Sequence, residues 1–147
     1  MMATTRYYLS GPMRGIPQYN FPQFHRVAAL LRAHGYDIVS PAELDSEAVR
    51  KVATNSALGT ECDRDGQIGG ETPGEILARD VRIVHDLCTG LIFLPGWERS
   101  RGARLEAFVA LLLPAYTFLL WDDEAAVLVP LSRRSVECAI HAAWGTR

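Results

Sequence analysis

The sequence has few cysteines, and none of them is spaced as a metal ligand. Cys62, Cys88 and Cys138 lie far apart and form no CxxC pair, which is typical of reduced, mostly structural thiols. The four histidines also lack metal-ligand spacing. Residues 60–71, TECDRDGQIGGE, resemble a calcium loop only superficially, because the acidic positions and the closing glutamate are out of register. We therefore predict no metal site.

The chain also lacks an excess of charge and a long apolar run near its beginning. Its formal net charge is −2 at pH 7, whereas binding to a nucleic-acid polymer or an anionic membrane requires a clustered basic face. The first residues, MMATTRYYLSG, resemble neither a signal peptide nor a membrane anchor. We expect a cytoplasmic protein that binds a small molecule, and neither a nucleic-acid polymer nor a membrane.

Four common catalytic motifs are missing: GxGxxG, GxxxxGK[ST], GxSxG and HExxH. They are typical of dinucleotide binding, phosphate binding, ester hydrolysis and zinc catalysis, respectively. A dinucleotide-binding oxidoreductase is therefore disfavoured, and the site has to be sought in the order of the predicted strands and helices.

The hydrophobic pattern predicts one α/β domain over residues 1–147. A strand, a loop, a helix and a second strand follow one another near the beginning, which is a βαβ unit with parallel strands. Residues 42–71 are predicted to be a mobile excursion that could overlie the site, with at most a short helix near 45–52. The predicted strands are 6–10, 36–40, 90–94, 115–121 and an edge strand at 127–129, and the longer helices follow Asn20, Thr72, Ser100 and Ser132.

The chain is organised around residues 91–110, LIFLPGWERSRGARLEAFVA, which predict a buried strand, a polar turn and a helix carrying Glu106. Ligands of open α/β sheets bind at the carboxyl ends of strands, where this turn lies. The loop after the first strand, GPMRGIPQYN, would reach the same edge, as would Asp80 on the preceding helix. Taken alone, Glu106 is an exposed helix acid and Asp80 a solvated or capping acid.

Three motifs change that interpretation when they occur in this order: YLSGPMRG at 8–15, LARD at 77–80 and LPGWERSRGARLEAFVA at 94–110. Together they resemble the nucleoside 2-deoxyribosyltransferase superfamily, which includes the 2'-deoxynucleoside 5'-phosphate N-hydrolases, and especially its small domains often encoded by phages. With the βαβ pattern, the resemblance implies a three-layer, flavodoxin-like fold whose five-stranded parallel sheet has the order 2-1-3-4-5.

The resemblance also implies catalytic roles. Glu106 matches the nucleophilic carboxylate, Asp80 the acid that assists at the base or sugar hydroxyl, and Tyr8 the phenol that holds the nucleophile. Cleavage of an N-glycosidic bond builds positive charge at the anomeric carbon, which a nearby carboxylate stabilises. A second carboxyl, made a better acid by burial, can protonate the departing base. No cofactor is implied.

Ser100 predicts the kind of substrate. In the superfamily that the chain resembles, the nucleoside-transferring members have an aspartate at this position, whereas the nucleotide hydrolases have a serine. A helix start without a carboxylate favours a phosphate. Ser100 is equally consistent with a plain N-cap. The substrate-binding residues implied by the resemblance are Gly11, Pro12, Met13, Arg14, Gly15, Asn20, Ser100 and Gly102.

We therefore expect hydrolysis or transfer of the N-glycosidic bond of a deoxynucleotide, and the sequence leaves open whether water or a second base is the acceptor. The alternative is a non-catalytic module that binds or senses nucleotides. The apolar helix at 100–113 and the strand after it, together with the resemblance, also predict a homodimer or a multiple of one.

Overall fold

The computed structural model describes residues 3–145 and has an α/β fold. The strands are β1 Arg6–Ser10, β2 Asp37–Val39, β3 Gly90–Phe93, β4 Thr117–Asp122 and β5 Val127–Leu131. The helices are α1 Phe21–Ala33, α2 Pro41–Leu44, α3 Glu47–Thr54, α4 Pro73–Asp86, α5 Arg101–Leu111 and α6 Arg133–Gly145. Within the described part of the chain, no helix has the length and hydropathy needed to cross a bilayer.

The five strands form one sheet in the order β2-β1-β3-β4-β5, which confirms the predicted order. Strands β1 to β4 are parallel to one another. The prediction of an entirely parallel sheet is wrong, because β5 runs antiparallel to β4, with Asp122 opposite Val127. The sheet is therefore mixed.

The connection between β4 and β5 explains this difference. Only residues 123–126 separate the two strands, whereas a parallel pair needs a crossover of a dozen or more residues. The Asp122 carboxylate accepts hydrogen bonds from the backbone N–H groups of Glu124 and Ala125 and so closes the turn. Pro130 lies within β5, which an edge strand tolerates because one side of it needs no backbone donor.

Helices cover both faces of the sheet because successive side chains of a strand point to opposite faces. Leu9 and Ile92 belong to the apolar cluster formed with α1, and Tyr8 and Phe93 to the cluster formed with α4, α5 and α6. All four residues of β3 are buried, as its continuous apolarity predicts. Tyr8 and Ser10 therefore face the layer that contains α4 and α5.

Helix α4 begins with a capping box, as the TPGE sequence predicts. The Thr72 side chain accepts a hydrogen bond from the Glu75 N–H, and the Glu75 carboxylate accepts one from the Thr72 N–H. The apolar pattern of this helix predicts that Val84 and Leu87 both face the sheet, but Val84 is fully buried whereas Leu87 is 57% exposed. Leu87 follows the last residue of the helix and so leaves the line that faces the sheet.

Residues 42–71, called here the connecting segment, contain more structure than the sequence predicts. The end of α2 and all of α3 lie in it, where we expected at most one short helix. Its later part packs against the loop of residues 11–20, called here the first loop: the Gly15 and Gln18 N–H groups donate to the carbonyl oxygens of Gly59 and Ser56 at 2.9 and 2.8 Å.

Candidate active site

Glu106 is a buried carboxylate on the second turn of α5, with only 6% of the residue exposed. The Tyr8 hydroxyl donates a hydrogen bond to its Oε1 at 3.3 Å, and the Ser10 hydroxyl donates one to its Oε2. Tyr8 and Ser10 lie two apart on β1 and therefore share a face of the sheet. The predicted contact between Tyr8 and Glu106 is thus present, and Ser10 is a partner that sequence reasoning missed.

The sequence of α5 explains why Glu106 is inside. Ala103, Ala107 and Ala110 are buried on the same side of this helix, and Glu106 lies three residues after the first and four before the last, on the same face. Small side chains let the helix approach the sheet closely, so the carboxylate reaches the end of β1. This spacing was available in the sequence as evidence against an exposed acid.

Asp80 is the second buried carboxylate, also 6% exposed. Its Oδ1 accepts hydrogen bonds from Nε and Nη2 of Arg79 at 2.9 and 2.7 Å. The remaining terminal nitrogen of Arg79, Nη1, lies 2.7 Å from Oδ1 of Asp45, which is buried in the connecting segment. Neither Arg79 nor Asp45 was among the predicted site residues. Asp45 lies 35 positions from Asp80, and no local signal in the sequence joins them.

Burial shifts the proton affinity of both carboxyl groups. Loss of hydration raises the pKa of Glu106 to about 8, against the opposing effect of the hydrogen bond from Ser10. Loss of hydration also raises the pKa of Asp80 to about 6, and the charge of Arg79 opposes this rise. The Tyr8 hydroxyl interacts with both acids. We expected burial to make Asp80 a better proton donor, and its pKa is raised. The larger rise is in the pKa of Glu106, which forms no ion pair with any of the described residues.

The amino end of α5 is the place where the sequence predicts a phosphate. Ser100 is the N-cap, and its Oγ accepts a hydrogen bond from the Ala103 N–H at 3.3 Å, so the capping role is confirmed. Gly102 has open space around it: a methyl group there would meet only a Leu77 methyl carbon, at 3.8 Å. Packing therefore does not require a glycine at this position, although glycine is a poor helix former.

The first loop lies beside the turn that precedes α5. A methyl group built on Gly96 would lie 3.6 Å from the Pro12 ring and 3.5 Å from the Arg99 guanidinium. Arg99 is exposed and adds a second cation near the helix start that sequence reasoning missed. Among residues 3–145, neither Arg99 nor Arg14 forms an ion pair.

The other predicted residues of the first loop have different surroundings. A methyl group on Gly11 would come within 2.7 Å of Leu94 Cβ, so packing explains this glycine. Met13 packs against the core cluster that includes α1. Arg14 is exposed, and no described contact joins it to the buried acids. Gly15 has a φ of 81° and open space around it, but its N–H is already bound to Gly59.

Asn20 occupies the N-cap position of α1 but does not cap it with its side chain. Its amide instead donates to the Pro12 carbonyl oxygen at 2.8 Å, which fastens the two ends of the first loop. Gln18, Tyr19 and Asn20 all have φ between 50° and 60°, a left-handed conformation that costs roughly 1–2 kcal/mol per non-glycine residue. The expected N-cap bond is absent because Asn20 belongs to this turn.

The connecting segment stabilises the left-handed turn. The Tyr19 hydroxyl donates to the Glu61 carbonyl oxygen at 2.7 Å. The Glu61 carboxylate in turn accepts hydrogen bonds from three backbone N–H groups, those of Ala57, Leu58 and Thr60, and from a serine hydroxyl. These bonds to the ionised form lower the pKa of Glu61 to about 2. The two loops therefore form one hydrogen-bonded unit.

Comparison with known proteins gives a partial match to one family model and no activity. Residues 5–64, which run from the start of β1 through most of the connecting segment, match a family described as a domain of unknown function, DUF4406. The matched part includes Tyr8, the first loop and Asp45, but neither Asp80 nor Glu106. Searches of curated proteins and of solved structures find no match to the chain. Part of the chain is thus similar to a domain whose function has not been described.

Proposed function

We propose that this protein cleaves the N-glycosidic bond of a 2'-deoxynucleoside 5'-monophosphate, with Glu106 as the nucleophile. The observation that carries the proposal is a buried carboxylate, oriented by two hydroxyl donors, next to a second buried carboxyl group. Such a pair suits a reaction whose transition state resembles an oxocarbenium ion. We also assign the fold to the flavodoxin-like class and the chain to the nucleoside 2-deoxyribosyltransferase superfamily.

In the first step, Glu106 attacks the anomeric carbon and the bond from this carbon to the base nitrogen breaks. The bonding electron pair leaves with the base, and Asp80 supplies a proton to it. The Tyr8 and Ser10 hydroxyl groups keep the Glu106 carboxylate aimed during the attack. In a hydrolase, water then attacks the anomeric carbon, the bond to Glu106 breaks, and Asp80, ionised in the first step, takes the proton from water. In a transferase, the nitrogen of a second base attacks in place of water and gives its proton to Asp80.

The reactive form of this site carries one proton on the two carboxyl groups. With pKa values of about 6 for Asp80 and about 8 for Glu106, the singly protonated pair predominates between these pH values. The proton has to lie on Asp80 when Glu106 attacks, although Glu106 binds it more tightly in the unliganded protein. A bell-shaped pH profile of base release, with limbs near 6 and 8, is expected.

The preference for a 5'-phosphate is supported by the amino end of α5. A helix start attracts anions through its N–H groups and its dipole. Ser100 and Gly102 place no acidic side chain and little bulk there. Arg99, just before the N-cap, is an exposed cation that forms no ion pair within the described residues. About 9 Å of helix, at 1.5 Å per residue, separates Ser100 from Glu106, which is roughly the span from a phosphate to the anomeric carbon.

A homodimer is supported by the outer surface of α5. Leu105, Phe108 and Leu112 are 39%, 42% and 69% exposed, and Trp144 of α6 packs beside Phe108 with ring centroids 6.4 Å apart. Contiguous exposed apolar side chains of this kind are typical of protein interfaces. A second copy of the chain is the proposed partner.

The decisive experiment is release of free base from a panel of natural and modified deoxynucleotides and the corresponding nucleosides. We expect release from 5'-monophosphates in preference to nucleosides, and a loss of 10³-fold or more in Glu106→Gln with nucleotide binding nearly intact. Glu137→Gln, at an exposed position of α6, is the matched control. Nucleotide binding without any base release would favour the non-catalytic module, and normal release by Glu106→Gln would exclude Glu106 as the nucleophile.

A further inference from the structure

We propose that Arg79 is a positioning residue of this site: it holds Asp80 by Oδ1, leaves Oδ2 for the substrate, and is itself held by Asp45 of the connecting segment. The proposal rests on the proposed function, because it gives Asp80 the role of the acid. It also adds a part of the chain, the connecting segment, for which we had predicted no role beyond covering the site.

The guanidinium contacts support this arrangement directly. Both Nε and Nη2 of Arg79 bind the same oxygen of Asp80, Oδ1. The other terminal nitrogen forms an ion pair, at 2.7 Å, with Oδ1 of Asp45, whose side chain is 5% exposed. One planar cation therefore connects two buried carboxylates, and Asp80 cannot rotate its Oδ1 away without losing two charge-assisted hydrogen bonds.

The helix alone would not produce this contact. Arg79 and Asp80 are consecutive residues of α4 and project about 100° apart, so neighbouring side chains on a helix do not ordinarily face each other. A long arginine side chain also loses conformational entropy when it is fixed. Asp45 offsets that cost with a second ion pair, which keeps Arg79 turned over Asp80 rather than extended into solvent.

The charges around Asp80 make Arg79 necessary. The groups that interact with Asp80 are Asp45 from the connecting segment, Tyr8 from β1, Glu106 from α5, and Arg79 beside it on α4. Arg79 is the positive group of this set. Without it, three carboxyl groups would be buried together, and Asp80 would keep its proton to a higher pH and would have no fixed orientation.

The test compares Arg79→Met and Arg79→Lys with the unmodified protein. Arg82→Met is the control, because Arg82 lies on the same helix with 84% of its side chain exposed. We expect Arg79→Met to move the acid limb of the base-release profile at least about one pH unit upwards and to lower kcat more than it raises KM. Arg79→Lys keeps the positive charge but cannot bind Asp80 Oδ1 through two N–H groups at once. Compared with Arg79→Met, we expect it to return the acid limb most of the way to its original pH and to recover less of kcat.

The role of Asp45 is tested with Asp45→Asn alone and combined with Arg79→Met. If Asp45 acts through Arg79, Asp45→Asn lowers kcat when Arg79 is present. In the Arg79→Met variant the same substitution causes no further loss of kcat. Additive losses in the double variant would overturn this part of the proposal. Arg79→Lys and Asp45→Asn are mild changes that keep the test available if Arg79→Met fails to fold.

A measurement without substrate separates this proposal from the proposed function. The Asp80 carboxyl carbon is followed by NMR through a pH titration of the unliganded protein and of Arg79→Met. A rise of about one pH unit or more in the midpoint supports the positioning role, even if no deoxynucleotide is cleaved. An unchanged Asp80 midpoint in Arg79→Met would refute it, even if base release is observed.

Discussion

Replacement of Glu106 by glutamine should change how the stability of the protein depends on pH. The folded protein holds the Glu106 proton up to about pH 8, whereas an unfolded chain releases it near the ordinary value of about 4.3. Between these two pH values the native state binds one more proton than the unfolded state. The free energy of unfolding therefore falls as the pH rises through this range and levels off above it.

The magnitude follows from the difference between the two pKa values. A difference of roughly 3.7 pH units at 1.36 kcal/mol each gives at most about 5 kcal/mol by pH 9. Glutamine has nearly the shape of the protonated acid and has no charge to bury. We therefore expect Glu106→Gln and the unmodified protein to have similar stability near pH 4.5, and the variant to be the more stable by several kcal/mol at pH 9.

Urea denaturation at one protein concentration, repeated at each pH unit from 4.5 to 9, measures this difference. Glu137→Gln removes an exposed glutamate from α6 and should leave the slope with pH unchanged. The difference in free energy of unfolding between Glu106→Gln and the unmodified protein could instead stay constant over the whole pH range. That result would show that folding does not raise the pKa of Glu106 and would refute the reasoning.

Two further predictions concern α5. Light scattering should give a dimer mass, or a multiple of it, that Phe108→Glu reduces to the monomer, and a monomer mass independent of concentration for the unmodified protein would refute the interface. Gly102→Ala should stabilise the fold by a few tenths to about 1 kcal/mol in thermal unfolding, because the new methyl group has space. The same methyl group should weaken phosphate binding, measured by calorimetry, and an unaltered affinity would contradict a phosphate site at Gly102.

Most of the fold could be predicted because its signals are local. The bounds of β1 agree with the sequence prediction, the TPGE sequence placed the start of α4, and the continuous apolarity of β3 placed it in the centre. The direction of β5 could also have been predicted, since the five residues between the predicted strands, 122–126, are too few for a crossover. The antiparallel pairing was missed because the resemblance was extended to a strand that none of its motifs reaches.

Individual residues of the candidate site could be proposed from motifs, whereas most contacts between distant parts of the chain could not. Glu106 and Tyr8 were found through motifs, and the alanine spacing of α5 supports the burial of Glu106. The contact between Asp45 and Arg79 joins distant parts of the chain, so no periodicity or capping rule could indicate it. The same holds for the hydrogen bond between Tyr19 and Glu61, which depends on how two irregular loops meet.

The left-handed turn of the first loop has a consequence for the order in which the protein folds. Residues 18–20 adopt a conformation that L-amino acids disfavour, and two of the hydrogen bonds that hold Gln18 and Tyr19 in it come from residues 56 and 61. We therefore expect the first loop to acquire its shape only once the connecting segment has docked on it. Its amides should exchange with solvent together with those of residues 56–61, as one late and cooperative unit that opens without the sheet.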